Sequence, residues 1–316
     1  MNRTGTVPAP LLLTDRPRPV TVTVDAIDEQ GATVPTAIAG EFPLTLYLDK
    51  RELVTLMTLG AAPEHLALGW LRNQRLVGAV DELAAVQVDW EAEAVAVTSR
   101  SLRDHGTPLW DLVDDDRDQR LGRRTVTTGC GQGTVYGDLL DSLEAIRPPD
   151  DVVLHTGTVL AVMDQVRRHE SIYKVAGAVH GCALCSNPAD GSAPEILRFV
   201  EDVGRHNAVD AIAGWMWLEG VDGADKLFYT TGRLTSEMVI KCVKMRIPVL
   251  VSRSGFTAWG VELAKKTGLT LIGRARGKRF VCLSGAERIV FDADLARVEE
   301  EDRKHARKGS LAEAGD

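Results

Sequence analysis

The chain has 316 residues, of which 44% are hydrophobic and 26% charged, so it can bury one large core or two smaller ones. Its net charge of −8 argues against nucleic-acid binding, because that activity needs a broad basic surface. No segment approaches the ~20 uninterrupted apolar residues of a membrane span, and the run Leu11–Leu13 is too short for a signal-peptide core. An odd cysteine count, five, favours reduced thiols, and we therefore predict a cytoplasmic protein without nucleic-acid or membrane partners.

The residue pattern divides the chain into five segments. They are a disordered N-terminal tail over 1–19, a strand-rich N-terminal domain over 20–124, a mobile loop and connector over 125–150, an α/β domain over 151–292, and a charged C-terminal tail over 293–316. The smaller N-terminal domain is thus predicted to precede a larger α/β domain.

The N-terminal domain reads mostly as hairpins. Residues 44–48 and 53–58 are apolar runs on either side of a polar turn, which predicts one hairpin. Pro63 is placed to open a helix, because its fixed φ suits the first helical turn. Alternating apolar residues over 86–97 predict a second hairpin. The acidic run 111–119 reads as an exposed connector that ends this domain.

The second half of the chain alternates between strand and helix patterns. A helix capped by Thr158 precedes an extended segment over 178–186. The predicted strands cover 195–200, 226–231, 248–252 and 269–273. The first is followed by an apolar helical stripe from Val209 to Met216, and the next two by predicted helices over about 235–245 and 257–267. Gly268 is placed to end the last helix, and a basic loop, Arg274–Arg279, follows the last strand. This alternation predicts a sheet covered by helices on both faces, a three-layer α/β domain.

Three of the predicted strand-to-helix turns are polar and carry an arginine. They are 202–207 with Arg205, His206 and Asn207, 230–236 with Arg233 and Ser236, and 252–257 with Arg253 and Ser254. In an open sheet such turns gather at one edge, where helix N-termini and guanidinium groups favour an anion. Ordinary helix capping explains the same hydroxyl and amide groups, and both interpretations stay open. No GxGxxG or Walker A pattern is present.

Two cysteine arrangements suggest chemistry. Cys130 lies among Gly129, Gly131 and Gly133 between the two domains, where the sulfur is sterically open and suited to act as a nucleophile. Cys182 and Cys185 form a CxxC, which packing inside a strand and a metal or redox role both explain. If 178–186 is extended, residues three apart face opposite sides, and a chelate then needs a bulge.

Several long motifs in the same order resemble the formate dehydrogenase accessory sulfurtransferase family, FdhD/NarQ. They are EFPLTLYLDKRELVTLMT, LALGWL, EDVGRHNAVD, TTGRLTSEMVIK, IPVLVSRSGFTA and VELAKKTGLTLIGRARGKRF. The resemblance runs from about residue 41 to residue 280. It implies a cytidine-deaminase-like fold for the C-terminal domain and a homodimer. The zinc-deaminase signature of H-x-E followed by P-C-x-x-C is absent, so we predict neither deamination nor a metal site.

The resemblance also implies a function. Members of the family take sulfur from a cysteine desulfurase as a cysteine persulfide and pass it to the molybdenum bis(molybdopterin guanine dinucleotide) cofactor, which matures formate dehydrogenase or a related molybdenum or tungsten enzyme. The family's active cysteine matches Cys130. Its cofactor-binding segment matches Arg274, Ala275, Arg276, Gly277, Lys278 and Arg279. We expect the cofactor as a bound substrate, with a guanine nucleotide as a mimic, and we assign His206 and Glu201 to orienting or protonating groups around it. A buried His206 that only hydrogen-bonds its own turn explains that histidine equally well, and both interpretations stay open.

One departure from the family pattern leaves an alternative open. Many members carry CGxC in this loop, whereas Gly133 stands here at the position of the second cysteine. One sulfur is enough to anchor a persulfide, and Cys182 or Cys185 is a candidate second thiol. The alternative function is a chaperone that binds and delivers the cofactor without sulfur chemistry.

Overall fold

A computed structural model of the chain describes residues 10–14, 18–112, 124–125, 134–135 and 147–293. The helices are α1 Pro63–Asn73, α2 Arg100–His105, α3 Thr156–Arg168, α4 Ile172–Ala176, α5 Arg205–Leu218, α6 Ser236–Lys244 and α7 Ala258–Thr267. The strands are β1 Leu12–Leu13, β2 Thr21–Ile27, β3 Thr33–Ala39, β4 Phe42–Leu48, β5 Arg51–Thr58, β6 Leu83–Asp89, β7 Ala94–Ser99, β8 Arg124–Thr125, β9 Thr134–Val135, β10 Leu154–His155, β11 His180–Ser186, β12 Ile196–Asp202, β13 Lys226–Thr230, β14 Val249–Ser252, β15 Thr270–Arg276, β16 Arg279–Ser284 and β17 Ile289–Val290.

The N-terminal half forms a five-stranded sheet in the order β1-β6-β7-β4-β5, with β2 and β3 as a separate hairpin. Both predicted hairpins are present, and the first turns at Asp49 and Lys50, which both have positive φ. The prediction of a disordered tail over 1–19 is wrong for Leu12–Leu13, which pairs with β6. Thr14 fixes this end, because its hydroxyl donates to the Val86 carbonyl and accepts from the Val88 amide.

The C-terminal half forms a six-stranded mixed sheet in the order β12-β11-β13-β14-β15-β16. β13, β14 and β15 are parallel, whereas β11 runs antiparallel to both of its neighbours and β16 runs antiparallel to β15. The carboxyl ends of β12, β13, β14 and β15 therefore lie at one edge, together with the first residue of β11. The alternation predicted from sequence is present, with boundaries shifted by up to three residues.

Helices pack on both faces of this sheet, as the residues of its two buried apolar clusters show. One cluster joins α5, α6 and α7 to one face and continues through α1 into the five-stranded sheet, and the other joins α3 to the opposite face. The chain is thus a mixed α/β protein in which α1 and α5 connect the two sheets. The domain boundaries and the likeness to cytidine deaminases stay predictions.

Two local predictions need correction. Helix α3 begins at Thr156 after an N-cap at His155, so Thr158 lies inside the helix and is not its cap. The basic segment Arg274–Arg279 is not a loop: β15 continues through Arg276, Gly277 and Lys278 make the turn, and β16 begins at Arg279. The end of α7 is as predicted, with Gly268 in the left-handed conformation as its C-cap.

Candidate functional site

The three arginine-bearing turns meet at one edge of the six-stranded sheet. Ser252 Oγ donates to the Gly232 carbonyl at 2.6 Å, and the Leu234 amide donates to the Gly255 carbonyl at 2.9 Å. The basic hairpin joins them, because the Arg274 amide donates to the Ser254 carbonyl at 2.7 Å. We call this edge the rim; it comprises His180 and residues 202–207, 230–236, 252–257 and 274–279.

The three turns share one hydrogen-bond pattern. In each, the side chain of the last strand residue accepts from the amide two residues later: Asp202 from Gly204 at 2.9 Å, Thr230 from Gly232 at 3.0 Å, and Ser252 from Ser254 at 2.9 Å. Such local bonds stabilise a sharp turn directly after a strand. These three buried side chains therefore shape the rim.

Asp202 also attaches the rim to the five-stranded sheet. Its Oδ2 accepts from the Thr58 hydroxyl at 2.5 Å and from the Leu59 amide at 3.1 Å, both at the end of β5. Burial raises the pKa of this carboxyl, and the hydrogen bonds it accepts oppose that rise. Asn207 reinforces the joint by donating to Asp202 Oδ1 and to the Met57 carbonyl. The Asn207 amide is thus used within the protein, where the sequence had suggested a ligand contact.

His206 is buried beneath the rim, with 1% of its surface exposed. Its Nε2 lies 3.3 Å from Glu237 Oε2, and Lys241 forms ion pairs with Glu237 and with Asp210. Burial, followed by the cations Lys241 and Arg205, lowers the pKa of His206 to about 2. The imidazole is therefore neutral near pH 7, so protonating a rim ligand is not a role that these surroundings support.

Glu201, which the sequence analysis also assigned to orienting or protonating groups around the cofactor, caps a helix. Its two carboxylate oxygens accept from the backbone amides of Ile172 at 2.5 Å and Tyr173 at 3.2 Å, in the first turn of α4. A carboxylate in this position stabilises the helix start. Glu201 therefore positions α4.

The predicted binding residues divide by exposure. Those exposed or half-buried are Arg233, Arg253, Ser254, Arg274, Arg276, Gly277, Lys278 and Arg279, and those buried are Arg205, His206, Asn207, Ser236 and Ala275. The buried Arg205 has a packing role, since a Cβ on Gly232 would lie 2.9 Å from Arg205 Cδ. The exposed set supplies five cations to one edge of the sheet, plus Arg279 at the start of β16.

His180 is a rim residue that the sequence interpretation missed. It begins β11, pairs with Asp202 across the strands, and its Nδ1 lies 3.5 Å from the Thr231 hydroxyl. Burial lowers its pKa, and the cations Arg205, Arg253 and Arg233 lower it further. One cation from each of the three turns therefore lies close enough to affect the charge of this imidazole. An anion bound there would offset their mutual repulsion.

Three of the described cysteines are buried and unreactive by their surroundings. Cys182 and Cys185 face opposite sides of β11, as the extended geometry predicted, and burial raises the pKa of each to about 12. Cys242 is buried in α6 and its pKa is also raised. Neither Cys182 nor Cys185 fits the role of a second thiol for relay, because the thiolate is the nucleophile. Cys282, in β16, is half-buried.

Cys130 lies outside the described residues. The strands on either side of it in sequence, β8 and β9, pair antiparallel with Arg124 opposite Val135 and Thr125 opposite Thr134. The two ends of the segment that carries Cys130 are thus next to each other.

Other features lie away from the rim arginines. A cavity of about 480 Å³ beside α4 is lined partly by Ile172, Val175 and Phe199, and one of about 390 Å³ is lined partly by Cys282 and Lys265. Within the described ranges, no three His, Cys, Asp or Glu side chains cluster closely enough to hold a metal ion. No helix in the described ranges is both long and apolar enough to cross a membrane.

Comparison with known proteins identifies the family. The family model described as FdhD/NarQ matches residues 39–290, which is most of the chain and includes every rim residue. The chain belongs to the FdhD/NarQ family.

The similar proteins of this family carry informative names. Proteins named sulfur carrier protein FdhD from Listeria monocytogenes serotype 4b and Bacillus subtilis are each 28% identical to the chain, over 81% and 83% of it and 92% and 94% of their own lengths. The FdhD of Wolinella succinogenes is 29% identical over 82% of the chain and 85% of its own length. The crystal structure of a putative formate dehydrogenase accessory protein from Desulfotalea psychrophila superposes with a TM-score of 0.66 at 25% identity, covering 86% of this chain and all of that one.

Proposed function

We propose that this FdhD/NarQ member is a sulfur carrier in the maturation of formate dehydrogenase or a related molybdenum or tungsten enzyme. It accepts sulfur from a cysteine desulfurase as a persulfide on Cys130 and transfers it to the molybdenum bis(molybdopterin guanine dinucleotide) cofactor held on the rim. The relatives named sulfur carrier proteins support the activity. It works as a homodimer, as the family resemblance implies, and in the cytoplasm, as the odd cysteine count led us to predict.

The observation that carries the cofactor part of the proposal is that hydrogen bonds join the arginine-bearing turns and the basic hairpin at one edge of the sheet. The cofactor is a substrate with two nucleotide diphosphate arms, each of which brings negative charge. Guanidinium groups bind such oxygens with two parallel hydrogen bonds. Arg233, Arg253 and Arg276 are exposed enough to reach a bound diphosphate.

The loading step needs one accessible thiolate. The Cys130 thiolate attacks the outer sulfur of the desulfurase persulfide, the new S–S bond forms on Cys130, and the desulfurase cysteine leaves as a thiolate. The buried Cys182, Cys185 and Cys242 are unsuited to this attack, since burial raises the pKa of each.

Mass spectrometry tests the loading step. After incubation with a cysteine desulfurase and cysteine, the protein is expected to gain the mass of one sulfur atom, which a reducing agent removes. Cys130→Ser should abolish this gain, and Cys282→Ser, at a half-buried position, serves as the matched control and should keep it. An unmodified wild-type protein, or loading that survives in Cys130→Ser, would contradict the role of Cys130.

The alternative function is a chaperone that binds and delivers the cofactor without sulfur chemistry, and Gly133 in place of a second loop cysteine favours it. Complementation separates the two. In a strain lacking its own factor, Cys130→Ala should fail to restore formate dehydrogenase activity if the chain carries sulfur. Full restoration by Cys130→Ala would establish the chaperone function instead.

A further inference from the structure

Tyr173 places an aromatic ring beside the rim arginines. It lies in α4, 49% of its surface is exposed, and the guanidinium carbon of Arg253 is 5.4 Å from the centre of its ring. An aromatic side chain so exposed gains little from burial. Its contact with an arginine of the rim suggests a role in binding.

The backbone of Tyr173 is held firmly for such a short helix. Glu201 accepts from the amides of Ile172 and Tyr173, and Ser171 caps α4 by accepting from the Lys174 amide. Just before α4, His169 packs against Phe199 of β12 with ring centres 4.3 Å apart. The end of β12 thus fixes where the Tyr173 ring lies relative to the rim.

A second guanidinium lies next to this pair. Arg276 Nε donates to the Arg253 carbonyl at 3.2 Å, which brings the basic hairpin to the turn that contacts Tyr173. Arg253 and Arg276 both lower the pKa of the neighbouring Tyr229, against the larger upward effect of burial. Two cations and one exposed ring therefore share one part of the rim.

This combination has the chemistry of a nucleotide site. Guanidinium groups bind a diphosphate, and an aromatic face stacks on a base, with cation–π contacts from arginine adding to the stacking. We propose that Tyr173 is the platform on which the base of a purine nucleoside diphosphate stacks while Arg253 and Arg276 bind its phosphates. The inference rests on the proposed function, in which the nucleotide arms of the cofactor bind at this rim.

The test uses two probes, GDP, which has a base, and inorganic pyrophosphate, which has none. Binding of each to the full-length protein is measured by isothermal titration calorimetry for wild type, Tyr173→Leu, Tyr173→Phe and the control Tyr47→Leu. Tyr47 lies in β4 of the other sheet, where its hydroxyl donates to Glu52. Thermal melting of each variant checks that it is folded.

If the base stacks on Tyr173, loss of the ring should lower the affinity for GDP but not the affinity for pyrophosphate. Tyr173→Leu should weaken GDP binding by about 5- to 150-fold and leave pyrophosphate binding unchanged. Tyr173→Phe keeps the ring and should bind GDP nearly as the wild type does, as should Tyr47→Leu.

Three results would overturn the inference, and they separate it from the proposed function. Equal GDP affinity in wild type and Tyr173→Leu would show that the base does not stack on Tyr173, while nucleotide binding at the rim would stand. Equal losses for GDP and pyrophosphate mean that Tyr173 acts only by placing Arg253. A wild-type protein that binds neither probe contradicts the nucleotide-binding rim itself, and with it the cofactor part of the proposed function.

Discussion

At the scale of single residues, the exposed arginines are expected to carry anion binding. Arg233→Ala and Arg253→Ala should each weaken pyrophosphate binding by about 10-fold or more, because a hydrogen bond to a charged group contributes about 1.5–3 kcal/mol. Arg246→Ala is the matched control: Arg246 is exposed, contacts Asp222, and precedes β14 at the opposite edge of the sheet. Calorimetric titration gives the affinities. An equal loss in Arg246→Ala would show that the effect is one of overall charge.

Lys244 makes a separate residue-scale prediction about pH. Burial lowers the pKa of its ammonium to about 7, well below the value of 10.5 expected in the unfolded chain, while its Nζ donates to the Asn73 carbonyl. Between these two pKa values the unfolded state binds more protons, so the free energy of unfolding should rise with pH from about 7 upward.

Urea unfolding of wild type and Lys244→Met at about pH 6 and about pH 9 measures this contribution. The substitution removes the titrating group, so the gain in stability on raising the pH should be smaller in Lys244→Met than in wild type. An identical pH dependence in both proteins would show that Lys244 keeps its ordinary pKa in the folded state.

At the scale of elements, the crossing of α1 and α5 depends on two glycines. A Cβ on Gly69 would lie 1.7 Å from the Asp210 carbonyl oxygen, and one on Gly214 would lie 1.9 Å from the His65 carbonyl oxygen. Alanine at either position would force the helices apart, although alanine favours helix formation. Gly69→Ala and Gly214→Ala should each lower the free energy of unfolding by about 1–3 kcal/mol or more.

Gly157→Ala is the matched control for the crossing. Gly157 also lies in a helix, α3, but no atom lies within 4 Å of a Cβ built there. This variant should be neutral or more stable by up to about 1 kcal/mol. Urea denaturation of the three variants decides the matter, and similar effects at all three positions would mean that helix propensity, not the close crossing, controls stability.

The periodicity of the sequence was sufficient to predict most elements but not how they meet. Apolar spacing located both N-terminal hairpins and the repeated strands and helices of the second half, because burial on one face leaves a regular pattern. The crossing at Gly69 and Gly214 joins segments far apart in sequence, and no local pattern records such a contact. The basic segment looked like a loop because its positive charges and glycine hide the end of β15 and the start of β16. Ala275 is the one buried residue of Arg274–Arg279.

The outline of the candidate site could also be predicted from the sequence. Strand-to-helix turns gather at one edge of a sheet, which follows from connectivity alone. The places of His180 and Tyr173 depend on the antiparallel insertion of β11 between β12 and β13, which sequence does not reveal. Asn207 and Glu201 looked like ligand contacts, but each is used to join neighbouring elements.

At the scale of the whole molecule, the architecture ties the rim to both sheets. Asp202 bonds to the end of β5, α1 packs on α5, and one apolar cluster runs from the five-stranded sheet to the face beneath the rim. The family match over residues 39–290 spans both halves. A ligand on the rim is therefore expected to stabilise the chain as a unit.

Thermal denaturation with and without GDP tests that expectation. A ligand that binds only the folded state raises its stability, by about 2.7 kcal/mol when its concentration is 100 times Kd. A single unfolding transition that moves to higher temperature is expected. Two transitions, of which GDP shifts only one, would contradict the expectation that the two sheets unfold together.

The central claim is that the chain moves sulfur from a desulfurase to a molybdenum enzyme through Cys130. The most direct measurement loads the protein with isotopically labelled sulfur and removes the desulfurase. It then adds the reduced cofactor without its sulfur, together with formate dehydrogenase that lacks cofactor. We predict that the label moves to the cofactor as formate dehydrogenase activity appears, and that Cys130→Ser supports neither. Activity that appears without transfer of the label would contradict the account.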